Sequence, residues 1–457
     1  MSLVYETLKV GPLPIAVACL TVMIANPAFP QNITPPRPSG GGLFGPTRSE
    51  VGARDRLSVT LDMNEMFENE LPPEFRSRVG QSDLQSGGFS TMLTASADYA
   101  RNRPRLQLAG SVLTAFKYYP ELDEVAAVSH SASLGANVRL PKQGSFQLSQ
   151  SAAYSPAYLY QLFPTATVPV PEETIPANPD YRVTANDSYS YQTNAALAFG
   201  SARTLRVTTT ADYVHTDFQY QFATRSNLTV SAIGAKASRT VSRKGGMSVG
   251  YQYRTGDFGF GGISKEHRVT LDVDYSRAVS AKRRASFHFN LTPSTIEVPE
   301  SVLSALVPDA VPGTLDRRDY RLQGKASVDY EFRTHWHATG NFSRGVEYLP
   351  LLHSPAFVDG ARAQLTGLIT RTIDLLAVAG YASGASAFYL NTQDLETRTF
   401  NVKVRYALKR SFALYTEYLY YYYDLRGQVG LAPGQPSVFG EHGIRVGLTL
   451  FVEPLRR

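Results

Sequence analysis

The sequence predicts an all-β fold: a closed transmembrane antiparallel β-barrel of about eighteen strands, with sixteen as the other count its segments allow. Three observations predict it. Short segments alternate apolar and polar residues with a period of two from about Arg54 to Val452. Their charged residues keep to one parity, and the connections between them are short and long in turn.

Composition supports this class over others. A chain of 457 residues is long for one soluble core, yet no composition shift marks a domain boundary. Mean hydropathy is -0.19, and beyond the N-terminus no run reaches the roughly 18 apolar residues of a membrane helix. A barrel escapes such a window because half of each spanning strand faces the lumen. The 27 Tyr and 23 Phe against a single Trp suit aromatic girdles at two membrane interfaces. The single cysteine, Cys19, lies in the N-terminal apolar stretch. Thiolate metal sites and a Cys nucleophile are therefore not expected. The net charge of +6 is spread over turns and strands, so nucleic acid is not an expected partner.

The N-terminus reads as residues 1–28, a signal peptide. Lys9 precedes the apolar stretch Leu13 to Ala25, and small residues follow near Ala28. Residues 29–53 hold the run Pro35-Pro36-Arg37-Pro38-Ser39-Gly40-Gly41-Gly42, which cannot pair in a sheet and reads as a tether or a plug. The barrel is assigned to 54–452 and a short extension to 453–457.

The strands are read from parity. In Tyr320 to Phe332 one face carries Tyr320, Leu322, Gly324, Ala326, Val328, Tyr330 and Phe332, and the other Arg321, Gln323, Lys325, Ser327, Asp329 and Glu331. Phe400, Val402, Val404, Tyr406 and Leu408 oppose Asn401, Lys403 and Arg405; Val269, Leu271, Val273 and Tyr275 oppose Thr270, Asp272 and Asp274. Leu205, Val207, Thr209, Ala211 and Tyr213 oppose Arg206, Thr208, Thr210 and Asp212. An Arg or Lys at the lipid midplane costs about 2–4 kcal/mol, so this segregation is what a bilayer imposes. Asn227 to Val241 and Asp374 to Tyr389 alternate poorly and leave the count between sixteen and eighteen. Tight turns fall near Pro141-Lys142-Gln143-Gly144, Ser242-Arg243-Lys244-Gly245, Ser280-Ala281-Lys282-Arg283 and Arg371-Thr372. Longer connections fall at Leu159 to Asn186, Glu297 to Arg318, Leu349 to Phe357 and Asp424 to Glu441.

The final segment places Ile444, Val446, Leu448, Leu450 and Val452 on one face, opposite Arg445 and Thr449. With the preceding pattern, it resembles the bacterial outer-membrane β-barrel class, porin-like barrels and those associated with exopolysaccharide export included. In that class the last strand is the assembly signal, commonly ending in an aromatic. Here the chain continues through Glu453-Pro454-Leu455-Arg456-Arg457. The resemblance implies a Gram-negative outer membrane, with short turns and both termini in the periplasm. It also implies partners: outer-membrane lipid and lipopolysaccharide, the barrel insertion machinery, and envelope export components.

Chemistry-bearing motifs are few. His335 and His337 flank Trp336 on one strand face, a spacing that can chelate a metal, but an interfacial anchor at a turn needs none. His288, between Ser286 and Asn290, fits a hydrolase site or a plain polar lumen residue. Gly256-Asp257-Phe258-Gly259-Phe260-Gly261-Gly262 joins two strands rather than opening a helix, so it reads as a loop and not a phosphate cradle. No catalytic residue, metal or cofactor is assigned.

The inward charges carry the functional reading. Bases are assigned at Arg105, Lys117, Arg139, Arg206, Arg254, Arg268, Arg321, Lys325, Arg362, Lys403, Arg405 and Arg445, and acids at Asp62, Asp98, Asp212, Asp272, Asp274, Asp329, Glu331 and Glu417. The expected function is a channel or export conduit for hydrophilic solutes, with a bias toward anions from the excess of bases and a constriction formed by Leu159 to Asn186 or Glu297 to Arg318. A non-conducting surface or assembly partner in exopolysaccharide export, or an outer-membrane hydrolase, is the alternative.

Overall fold

A computed structural model describes residues 55–69, 88–120, 125–141, 143–155, 187–201, 203–219, 226–257, 263–280, 283–298, 317–332, 336–348, 355–386, 394–424 and 438–456. The signal peptide, the tether and the connections at 159–186 and 299–316 lie outside these residues.

Eighteen strands form one sheet. They are β1 (Asp55–Glu68), β2 (Gly88–Asn102), β3 (Leu106–Tyr119), β4 (Val125–Leu140), β5 (Gly144–Ser155) and β6 (Asp187–Ser201). Next come β7 (Leu205–Gln219), β8 (Ser226–Ser242), β9 (Gly245–Asp257), β10 (Ile263–Ser280), β11 (Arg283–Val298) and β12 (Arg317–Phe332). The last six are β13 (Trp336–Tyr348), β14 (Pro355–Leu368), β15 (Ile373–Ser386), β16 (Asp394–Lys409), β17 (Phe412–Asp424) and β18 (Val438–Arg456). Each pairs antiparallel with its sequence neighbours, and β1 also pairs with β18, so the sheet has no free edge. Eighteen strands about 4.8 Å apart, tilted by about 40°, enclose a ring roughly 35 Å across between backbones.

The two poorly alternating segments are strands, β8 and β15, which removes the count of sixteen. In a closed sheet the ladder on both sides holds a strand even where its faces differ little. The C-terminal boundary also moves. β18 runs to Arg456 rather than stopping at Val452, because its end pairs with β1 at Leu57 opposite Leu455, and Glu453 bonds Arg56. Pro454 falls where the register slips between Leu57 and Val59, a bulge that suits a residue without an N–H.

The sequence parity reappears as inside and outside. Leu61, Met63, Leu271, Val273, Phe287, Phe289, Val446 and Leu448 are exposed on the outer face, the apolar belt that lipid covers. Their strand neighbours Asp62, Asp272, His288 and Arg445 point inward. The strand ends separated by few residues, as between β8 and β9 or β10 and β11, share one end of the barrel, and those separated by many, as between β5 and β6 or β11 and β12, share the other.

Candidate functional site

Among the described residues the wall parts between β12 and β13. β13 follows β12 only as far as Arg344, opposite Gly324. Its pairing with β14 continues, from Gly345 opposite Val358 to Tyr348 opposite Pro355. This end of β13 therefore parts from β12 and turns inward, while β14 stays paired to β15 as far as Ala356 opposite Ser386. Val346, 0% exposed, contacts Arg254 of β9 and Arg268 of β10. Along the wall those strands stand roughly 19 and 14 Å from β13, at about 4.8 Å per strand. Contact therefore lays the end of β13 over the inner face of β10, β11 and β12.

A hairpin that quits its ladder strands backbone groups that must find other partners. Side chains supply them. The Val346 N–H donates to Gln323 Oε1 at 3.2 Å, and the Val346 carbonyl accepts Arg254 Nη1 at 3.1 Å and Arg268 Nη2 at 3.2 Å. Buried Glu266 organises these groups: its Oε1 lies 2.9 Å from Arg268 Nε and accepts Gln323 Nε2 at 2.6 Å, and its Oε2 lies 3.8 Å from Arg254. Gln323 Nε2 also donates to Ser294 Oγ at 2.5 Å. The Arg254 guanidinium covers the Tyr348 ring at 4.3 Å, and that ring rests on Gly256, where a Cβ would collide with it. Glu347, beside Val346, acts electrostatically on Arg254, Arg268 and Lys325. Arg321 and Arg344 each lie 5.3 Å from the Phe357 ring on the returning strand.

Nearer the tight-turn end a second network spans β8 to β11. Asp272 takes Lys236 Nζ at 2.9 Å, Ser248 Oγ at 2.7 Å and Asn290 Nδ2 at 2.6 Å. His288 Nδ1 lies 2.6 Å from Asp274, and its Nε2 is 3.9 Å from Asp272. A hydrolase arrangement would direct that Nε2 at a serine. Ser286, two residues back, instead bonds Ser276 at 3.0 Å. His337 is 3.8 Å from Asp329, while His335 lies outside the described residues. Among these residues no group of three or more metal-ligating side chains occurs.

On the opposite wall Glu417 accepts Arg445 Nη1 at 3.1 Å and Asn401 Nδ2 at 2.5 Å, with Lys403 Nζ at 3.7 Å. Asp62 accepts Tyr415, Thr449 and Asn64 at 2.6, 2.7 and 2.9 Å. Arg405 pairs with Asp374.

The residues assigned inward from sequence thus fall into groups. Arg268 belongs to the hairpin clasp, with Arg321 and Lys325 beside it, and Asp212 acts electrostatically on Arg254 from β7. Asp272 and Asp274 share the second network; Lys403, Glu417 and Arg445 share the third. Arg206 stands apart, donating to Ser145 at 3.1 Å, and Glu331 sits between Arg284 and His337 in register. Sequence reasoning missed Glu266, Gln323 as a partner, Lys236, Glu68 and Asp374. Glu266 was legible: it shares parity with Arg268 two residues away. The acids among these offset much of the expected excess of bases. Access to the inner face is uneven as well. Side chains of Lys236, Asp274 and Asp329 are 44%, 46% and 45% exposed, against 3%, 2% and 2% for Lys117, Glu68 and Arg445.

No protein-family model matches this chain, and no curated protein matches it. Among solved structures it is similar to OccAB2 of Acinetobacter baumannii, at 7% identity and a TM-score of 0.41 over 88% of this chain and 98% of that one. It is similar to OccK2 (OpdF) of Pseudomonas aeruginosa in complex with glucuronate, at 8% identity and a TM-score of 0.42 over 88% and 98%. The values for OprD of Pseudomonas aeruginosa are 8% and 0.39 over 88% and 96%. What the lumen does rests on this chain's own residues.

Proposed function

We propose that the protein is an outer-membrane conduit for hydrophilic solutes, with its tight-turn end and both termini in the periplasm and its width set by the β13–β14 hairpin. The observation that carries this reading is the clasp at Val346: a barrel meant only as a surface scaffold needs no strand end drawn inward from its wall. The apolar exterior supports the membrane setting, and exposed Lys236, Asp274 and Asp329 line a wet passage below the hairpin. The reading keeps a bias toward anions, with Arg254, Arg268 and Lys325 gathered at the clasp beside Glu266, Glu347 and Asp212.

Swelling of proteoliposomes in isotonic solutes tests it. Small neutral sugars should enter and swell vesicles carrying the protein, small organic anions faster still, and deletion of Val346 to Ala356 should admit larger sugars. Vesicles that stay unswollen with both the intact and the deleted protein would overturn the reading.

A further inference from the structure

We infer that His288 and His337 set the ion selectivity of the passage: protonating the two imidazoles turns its tight-turn end from cation-favouring to neutral, and anionic solutes then pass more readily. The inference rests on the conduit reading and names the residues that tune it.

The two histidines repeat one arrangement. On β10, Asp272 and Asp274 share the inner parity, and His288 of β11 stands opposite Asp274 in register. Its Nδ1 lies 2.6 Å from Asp274 and its Nε2 3.9 Å from Asp272. On β12, Asp329 and Glu331 share the inner parity, and His337 of β13 stands opposite Glu331, with its Nε2 3.8 Å from Asp329. Each imidazole thus meets one acid directly across the ladder and a second acid two residues along the same strand, the neighbours that an antiparallel sheet brings within reach. The two units lie side by side at one level, since Ser286 is opposite Asp329 and His288 is opposite Ser327. Both imidazole side chains are 34% exposed, so solutes in the lumen reach them.

The surrounding charges decide what protonation does. Among the described residues, the bases facing these units are Lys236 of β8, 2.9 Å from Asp272, and Arg284 of β11, opposite Glu331. The flanking strands present uncharged groups at this level, Ser248 on β9 and Thr366 on β14. Lys325, opposite Asn290, belongs to the clasp, where Glu347 acts on it. With neutral imidazoles the four carboxylates outnumber Lys236 and Arg284, and such an excess favours cations. Histidine changes its charge between about pH 5 and 8, while carboxylates of ordinary pKa, about 4, stay largely ionised there. Protonating both imidazoles adds two positive charges and cancels the excess. At neutral pH this end therefore opposes the bias toward anions at the clasp, and acidification lifts the opposition.

Reversal potentials of the full chain in a planar bilayer, under a potassium chloride gradient, test the assignment. From about pH 7.5 to about pH 5 the chloride-to-potassium permeability ratio should rise roughly two- to threefold at about 0.1 M salt, and less at about 1 M, where screening is stronger. His288→Gln combined with His337→Gln keeps the wall polar and should hold the ratio constant with pH. His288→Lys combined with His337→Lys should show at neutral pH the ratio that the parent reaches in acid. His442→Gln alters an outward-facing histidine bonded to Tyr418 and should respond to pH as the parent does. A conducting barrel whose ratio ignores pH, or a double glutamine variant that still responds, would overturn the inference and leave the conduit standing. A silent barrel would sink the conduit and the inference with it.

Discussion

Gln323→Leu isolates the clasp from the rest of the barrel. Leucine matches glutamine in size but can neither accept the Val346 N–H, now bonded at 3.2 Å, nor donate to Glu266 and Ser294. Ser294 keeps the Arg321 carbonyl at 3.4 Å and Glu266 keeps Arg268. The penalty therefore falls mainly on the Val346 amide, buried without a partner, at about 1–3 kcal/mol. Since about 1.4 kcal/mol is tenfold in population, the displaced hairpin should become roughly 5 to 150 times more populated. Amide exchange by mass spectrometry should show that acceleration within Arg344–Tyr348 and little change in β1, β2 or β18. The same change at Gln147, an inward residue of distant β5, should leave the hairpin as it was. Unaltered exchange at Val346, or acceleration spread evenly around the barrel, would refute the local clasp.

Three further outcomes follow from the same geometry. Gly256→Ala places a methyl against the Tyr348 ring, which should cost about 1–3 kcal/mol; adding Tyr348→Ala should recover part of it, and a double-mutant cycle on exchange at Val346 measures the coupling. Val273→Arg puts a charge into the outer apolar belt and should cost about 2–4 kcal/mol, while Ser276→Arg, on the inner parity, should fold nearly as well; heat-modified migration after refolding into lipid vesicles compares the two. Arg445→Ala leaves Glu417 buried beside Asn401 and Lys403 and should destabilise by about 3–5 kcal/mol, against less for Arg445→Met combined with Glu417→Gln, read from urea unfolding in detergent.

How much of this was legible in the sequence depends on which interactions make each feature. The barrel was legible because its faces meet different solvents, and lipid forbids what water accepts: Arg321, Lys325, Asp329 and Glu331 share one parity while Leu322 and Val328 hold the other. β15 was hard to place because its inward residues Leu376, Val378, Gly380 and Ala382 differ little from the outward Ala377 and Ala379, so only its two ladders define it. The clasp was illegible for another reason. Nothing local in Gly345-Val346-Glu347-Tyr348 marks a departure from the wall; the departure depends on Arg254, Arg268 and Gln323, which meet Val346 only once the sheet closes. The sequence count of inward charges omitted Glu266 and Asp374, which parity alone places inside on β10 and β15, and their pairing with Arg268 and Arg405 offsets part of the apparent excess of bases.

Whether ions cross the barrel is settled most directly by single-channel recording of the protein in a planar lipid bilayer, with the Val346–Ala356 deletion measured beside it. Discrete conductance steps are expected for the intact chain, and larger steps once the hairpin is gone. A bilayer that accepts both proteins and stays silent would contradict a conducting lumen.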